Sequence, residues 1–191
     1  MKEKAAKLIR TITVPPILAL SMLLILRCAF GDQFATIPIL LGAALFLVAV
    51  PICAYPAAKV KGGNGETVRN RQRQLAFGFN LLGYAGAFIW GLLMNGSHML
   101  LTVLTAYLIA VLLLTVLNKV FHIKASGHAC SCVLPYLFLI YWLGLKAIIP
   151  CVLFYIAEFW ASMVLKRHTA REFFLGSITA LLAFACLLAV Y

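Results

Sequence analysis

Apolar residues fall into seven long runs separated by short polar segments: 11–30, 35–58, 75–93, 99–118, 129–145, 147–165 and 173–191. Each approaches the roughly 20 mostly apolar residues that a helix needs to cross a bilayer. Only Lys146 and Pro150 interrupt the fifth and sixth runs. Pro15-Pro16 and Pro38 predict entry turns or kinks, because proline cannot donate a backbone hydrogen bond. The pattern predicts an all-α, polytopic membrane bundle of six to seven transmembrane spans. Residues 1–191 form a single unit, without an internal repeat or a low-complexity tract.

Composition removes the soluble alternative. The chain is 64% hydrophobic and 11% charged, with a mean hydropathy of +1.04. A soluble domain carries about 25% charged residues. The net charge of +11 is held in clusters between the apolar runs, which suits anionic lipid or a phosphorylated substrate and argues against nucleic acid. A basic stretch at 1–10 precedes the first run, as in a signal peptide. No small-residue cleavage site follows Phe30, so the segment reads as a retained anchor. Most of the six cysteines lie within apolar runs, as small packing residues. Cys130-Ser-Cys132 lacks the spacing of a zinc site. No metal-ligand cluster is visible along the chain, and no cofactor is expected.

If all seven runs cross, the N-terminus and the connections 59–74, 119–128 and 166–172 share one side. That side carries 14 of the 16 Lys and Arg residues. The positive-inside rule then predicts a cytoplasmic N-terminus in a cell membrane. Setting aside seven cations that chemistry could require leaves seven against two, with the same outcome.

Three segments on that side carry candidate chemistry. Arg69-Asn-Arg71-Gln-Arg73 precedes the third run and offers planar guanidinium forks to phosphate oxygens, although such a run also suits a membrane anchor. Lys124-Ala-Ser126-Gly127-His128 precedes the fifth run. Ser126 is a plausible helix cap, Gly127 exposes backbone N–H groups to an anion, and His128 can titrate. Lys166-Arg167-His168-Thr-Ala-Arg171-Glu172 lies between the last two runs. There the four-residue spacing predicts His168 and Glu172 on one helical face, the carboxylate orienting the imidazole. Glu158 lies inside the sixth run, where a carboxylate is costly and usually functional, one turn from Ser162.

Taken in order, the three segments resemble the signature motifs of the phosphatidic acid phosphatase type 2 superfamily, membrane lipid phosphate phosphatases. Lys124 to His128 resembles the Ser-Gly-His motif, and His168 to Glu172 with the later Gly176 resembles the third motif. The run from Arg69 to Phe77 resembles the arginine-bearing first motif. The resemblance extends from about Thr13 to the C-terminus. It implies attack on phosphorus by His168, orientation of His168 by Glu172, and acid–base work by His128. Lys124, Ser126, Gly127, Arg69 and Arg73 would hold the phosphate, and no metal would be needed. Three positions depart from the pattern. No proline follows the arginines of the first motif, Glu172 stands for the usual Asp, and Ser162 stands where a phosphate-binding Arg is usual. Arg167, Arg171 or the arginines at 69–73 could substitute at that last position, and Glu158 could pair with a cation there or make a polar contact between helices.

The implied function is hydrolysis of a lipid phosphomonoester, phosphatidic acid or phosphatidylglycerol phosphate. A polyprenyl diphosphate phosphatase and a catalytically weak scaffold that binds lipid phosphates stay open beside it.

Overall fold

The computed structural model describes residues 1–60 and 62–189; Lys61 and the last two residues of the seventh run lie outside them, as does the side chain of Arg69. The described residues are helical, with no strand. A short amphipathic helix, α1 (Lys2–Ile12), comes first, with Ala6 buried and Leu8 exposed. It stops at Thr13, and Pro15 then opens α2 (Pro15–Phe30), where the missing proline N–H costs nothing. The first apolar run is therefore two helices with a corner between them.

Seven helices then follow the apolar runs. After α2 come α3 (Ile37–Lys59), α4 (Gly65–Leu93) and α5 (His98–Val120). The last three are α6 (Gly127–Leu143), α7 (Leu145–Val164) and α8 (Ala170–Leu188). Among the described residues, six are long and apolar enough to cross a membrane, and α6 is the shorter seventh. Its 17 residues rise about 25 Å, short of the roughly 30 Å hydrocarbon layer.

Burial explains why the shorter helix fits. Every residue from Ala129 to Tyr136 is buried, so α6 is enclosed by neighbours and need not match the bilayer. It packs against α2, α5, α7 and α8, while α1 packs against α7. The outer helices instead expose large apolar side chains, among them Leu41, Leu82, Leu93, Ile149 and Leu153. An apolar exterior around a helical bundle with satisfied backbone is the arrangement a lipid environment requires. The six long helices make this a multi-pass membrane architecture.

Two details of α3 and α4 depart from the sequence reading. The chain widens to a π turn at Leu45–Ala49, just before Pro51, whose ring and missing N–H disrupt regular α geometry. α4 begins at Gly65, ten residues ahead of its apolar run, because Asn64 caps it by accepting from the Thr67 N–H at 2.8 Å. The break between α6 and α7 falls at Gly144 (φ +64°), not at Lys146, and Pro150 is accommodated inside α7.

Candidate active site

The segment before α6 is held from both sides. Asn118, near the end of α5, donates from Nδ2 to the Ala125 carbonyl at 3.2 Å, and its Oδ1 accepts from the Ala125 N–H at 3.2 Å. Ser126 caps α6, its Oγ accepting from the Ala129 N–H at 3.2 Å, and its own N–H donates to the Glu172 carbonyl at 2.9 Å. Gly176, one turn further along α8, makes this possible. A Cβ there would lie 2.2 Å from the Ser126 carbonyl oxygen, so any larger residue would push the two segments apart.

The turn between α7 and α8 aims the second histidine. The Arg167 N–H donates to the Ser162 carbonyl and the Lys166 N–H to the Met163 carbonyl, both at 3.1 Å. This pair closes α7 in a Schellman motif, with Lys166 in the left-handed position (φ +48°) that glycine usually takes. His168 lies in the bend that follows, and Thr169 caps α8. The spacing of His168 and Glu172 predicts one helical face, but His168 precedes the helix. The two meet because Glu172 reaches back as part of a capping box. Its Oε2 accepts from the Thr169 N–H at 3.2 Å and from His168 Nδ1 at 3.3 Å. Glu172 thus closes the helix start and fixes the ring, which leaves Nε2 of His168 as the nitrogen with a lone pair. Burial pushes the His168 pKa below its ordinary 6.5. Arg10 and Arg73 push the same way, and the Glu172 contact opposes them. The neutral imidazole is the form able to act as a nucleophile.

His128, His168 and Glu172 all line one cavity of about 450 Å³. Five cations line it too, Arg10, Arg73, Lys119, Lys124 and Arg167, against the single carboxylate of Glu172. Such an excess in a partly enclosed space suits an anion with more than one negative charge. Gly127 borders the cavity, whereas Ser126 is buried behind it as the cap. Arg71 does not join them. Its Nη1 donates to the carbonyls of Ala58 at 2.9 Å and Gly62 at 3.1 Å, tying down the turn before α4. Arg171 borders a neighbouring groove with His122 and Leu175. Ser162 is buried, with no hydrogen-bond partner for Oγ among the described residues.

Three residues that matter here were not singled out for the site from the sequence. Arg10 counts there only as a membrane-orienting cation, yet α1 delivers it to the cavity, near enough for its charge to act on His168. Asn118, the last residue of the fourth apolar run, proves to be the clamp on Ala125. Cys132 reads as packing. The chain shows no metal-ligand cluster along its length, but folding gathers one. The ligand atoms of His128, Cys132 and Glu158 lie within 4.8 Å of one another. Glu158 is 3% exposed, and its Oε1 accepts from the Tyr136 hydroxyl at 3.1 Å.

No family model, no curated protein and no solved structure matches the chain. The chemistry of the cavity therefore rests on its own residues.

Proposed function

We propose that the chain is an integral membrane lipid phosphate phosphatase acting through a phosphohistidine. The observation that carries this reading is the shared cavity, in which two histidines and a ring-orienting carboxylate stand among five cations. In the first half-reaction, Nε2 of His168 attacks phosphorus in line as the ester P–O bond breaks. His128 gives its proton to the departing lipid oxygen, and a phosphohistidine remains. In the second, His128 takes a proton from water as the hydroxide attacks phosphorus. The P–N bond breaks, and inorganic phosphate and His168 are released. Glu172 keeps the ring of His168 aligned and balances the charge that develops on it. Arg73, Lys124, Arg167 and the Gly127 N–H hold the phosphate oxygens. Arg10 supplies the guanidinium that Ser162 cannot. Arg69, one turn before Arg73 on α4, is a further candidate.

The substrate class is a phosphomonoester on a lipid, phosphatidic acid or phosphatidylglycerol phosphate, presented at the cation-rich face. Its excess of cations supports a cytoplasmic position for that face under the positive-inside rule. The decisive experiment measures phosphate release by purified protein in detergent, in the presence of chelator, from phosphatidic acid, phosphatidylglycerol phosphate and a polyprenyl diphosphate. Release from the monoesters that disappears in His168→Ala supports the reading. Equal rates in wild type and His168→Ala would leave only a phosphate-binding scaffold. Reporter fusions at the N-terminus and at residues 95–98 test the orientation, and an external N-terminus would reverse it.

A further inference from the structure

We propose that His128, Cys132 and Glu158 form a binding site for a thiophilic divalent metal ion, zinc in its chemistry, and that the bound ion shuts down hydrolysis by taking His128. The inhibitory half rests on the phosphatase reading; the metal site does not.

The donor set comes from two helices. His128 and Cys132 stand four residues apart on α6, one turn apart on a single face, and Glu158 reaches them from α7. An imidazole nitrogen, a thiol sulfur and a carboxylate oxygen are the ligands zinc prefers, at about 2.0–2.3 Å. Around a tetrahedral ion, such ligands lie about 3.3–3.8 Å from one another. The triad lies within 4.8 Å at its widest, about 1 Å more than that size.

A second observation points to a ligand. Glu158 is nearly fully buried, its Oε1 is taken by Tyr136, and its Oε2 has no hydrogen-bond partner among the described residues. A buried carboxylate oxygen without a partner is destabilising, and an ion at this point relieves it. The Cys132 thiol is buried too and donates to the Thr13 carbonyl at 3.3 Å. His128 is the member that borders the cavity, and it supplies the way in. Three protein ligands leave a fourth position for water.

Charge sets the selectivity. The neighbouring Arg10 disfavours a bare cation here. Thiolate and carboxylate bring two negative charges, so a divalent ion completes a neutral cluster. Magnesium demands octahedral oxygen ligands and would not use the sulfur. On binding, the Cys132 thiol loses its proton to water in the cavity, its bond to Thr13 breaks, and bonds from sulfur, oxygen and nitrogen to the metal form. The His128 lone pair is then committed to the metal, so this residue can no longer take or give the proton that hydrolysis needs.

The test uses tag-free protein in detergent, stripped with chelator and titrated with Co²⁺ alone. The expected result is saturable one-to-one uptake with a thiolate-to-cobalt charge-transfer band, displaced by Zn²⁺. The band should vanish in Cys132→Ser, bind roughly tenfold more weakly in Glu158→Gln and persist in Cys130→Ser. X-ray absorption on zinc-loaded wild type gives a readout that needs no variant, with one sulfur among nitrogen and oxygen neighbours. No stoichiometric uptake, a sulfur-free shell, or uptake unchanged in both Cys132→Ser and Glu158→Gln would overturn the site. Phosphate release that continues under saturating Zn²⁺ would overturn the inhibitory half. Metal uptake by a wild type inactive in chelator would remove the phosphatase reading and leave the site standing.

Discussion

Both ends of the bundle carry a serine-capped helix with a histidine close to the cap, and only one end gathers the candidate site residues around a cavity. At one end Ser97 caps α5, accepting from the Leu100 N–H at 3.1 Å while donating to the Phe34 carbonyl, and His98 follows at the surface. At the other, Ser126 caps α6 and His128 follows at the cavity edge. The local chemistry is nearly the same. What differs is the company. Near the first end, Arg27 is paired with Asp32 at 2.6 Å. At the second, five cations and a second histidine converge on one cavity. A capped helix start with a histidine is therefore a common structural solution. What sets the second end apart is that tertiary packing adds several cations and a second histidine held by a carboxylate.

Substitutions at the two ends should have very different effects. The largest effect is expected from His168→Ala, a loss of about a thousandfold or more in phosphate release, while His98→Ala at the opposite end leaves the rate unchanged. Parity between the two in a phosphate-release assay would dissolve the distinction between the ends. Glu172→Gln retains the shape of the capping box but removes the charge beside the imidazole. It should lower kcat by about a hundredfold with little change in thermal stability. Gly176→Ala drives a methyl group into the Ser126 carbonyl and should cost about 2 kcal/mol of stability together with activity. Gly96→Ala, whose Cβ meets the Gly91 carbonyl at 3.0 Å, should lower the melting temperature without changing KM.

The fourth effect is a pH shift. Because the His168 pKa is depressed below 6.5, its neutral, attacking form is already dominant at neutral pH. The rising limb of kcat/KM should therefore lie below pH 6.5. Arg10 is one cause of that depression, so Arg10→Ala should move the limb to higher pH as well as raise KM. A limb that does not move would place Arg10 outside the field of the site. The smallest effect is expected from Lys166→Gly, which relieves a left-handed backbone at a non-glycine residue. A gain of about 1 kcal/mol in stability, read by thermal denaturation, should come with unchanged kinetics.

Much of this was legible in the chain because helix starts are local. Ser126 reads as a cap and caps α6, and the apolar runs mark the seven helices, although Asn64 starts α4 ten residues ahead of its run. The three candidate segments were visible because each adjoins an apolar run. The arginine run shows where reading by segment stops. Arg71 and Arg73 are two residues apart, about 200° around a helix, so once α4 extends back to Gly65 they cannot serve the same cavity. Arg73 faces the cavity and Arg71 ties the preceding turn. Arg10, Asn118 and the meeting of Cys132 with Glu158 depend on which helices become neighbours. That choice is made by the shapes of packed faces, and no local pattern records it.

The docking of α1 on α7 has a consequence for how the protein is made. Arg10 belongs to α1, which ends at Ile12, whereas its packing partner α7 begins only at Leu145. Until that helix is inserted, α1 has no surface in the bundle to receive it, and a long-range contact of this kind forms late. The cavity therefore gains one of its cations only once α7 is in place. A nascent chain that carries both histidine segments but has not yet docked its first helix is incomplete in charge, which ties competence for chemistry to completion of the fold.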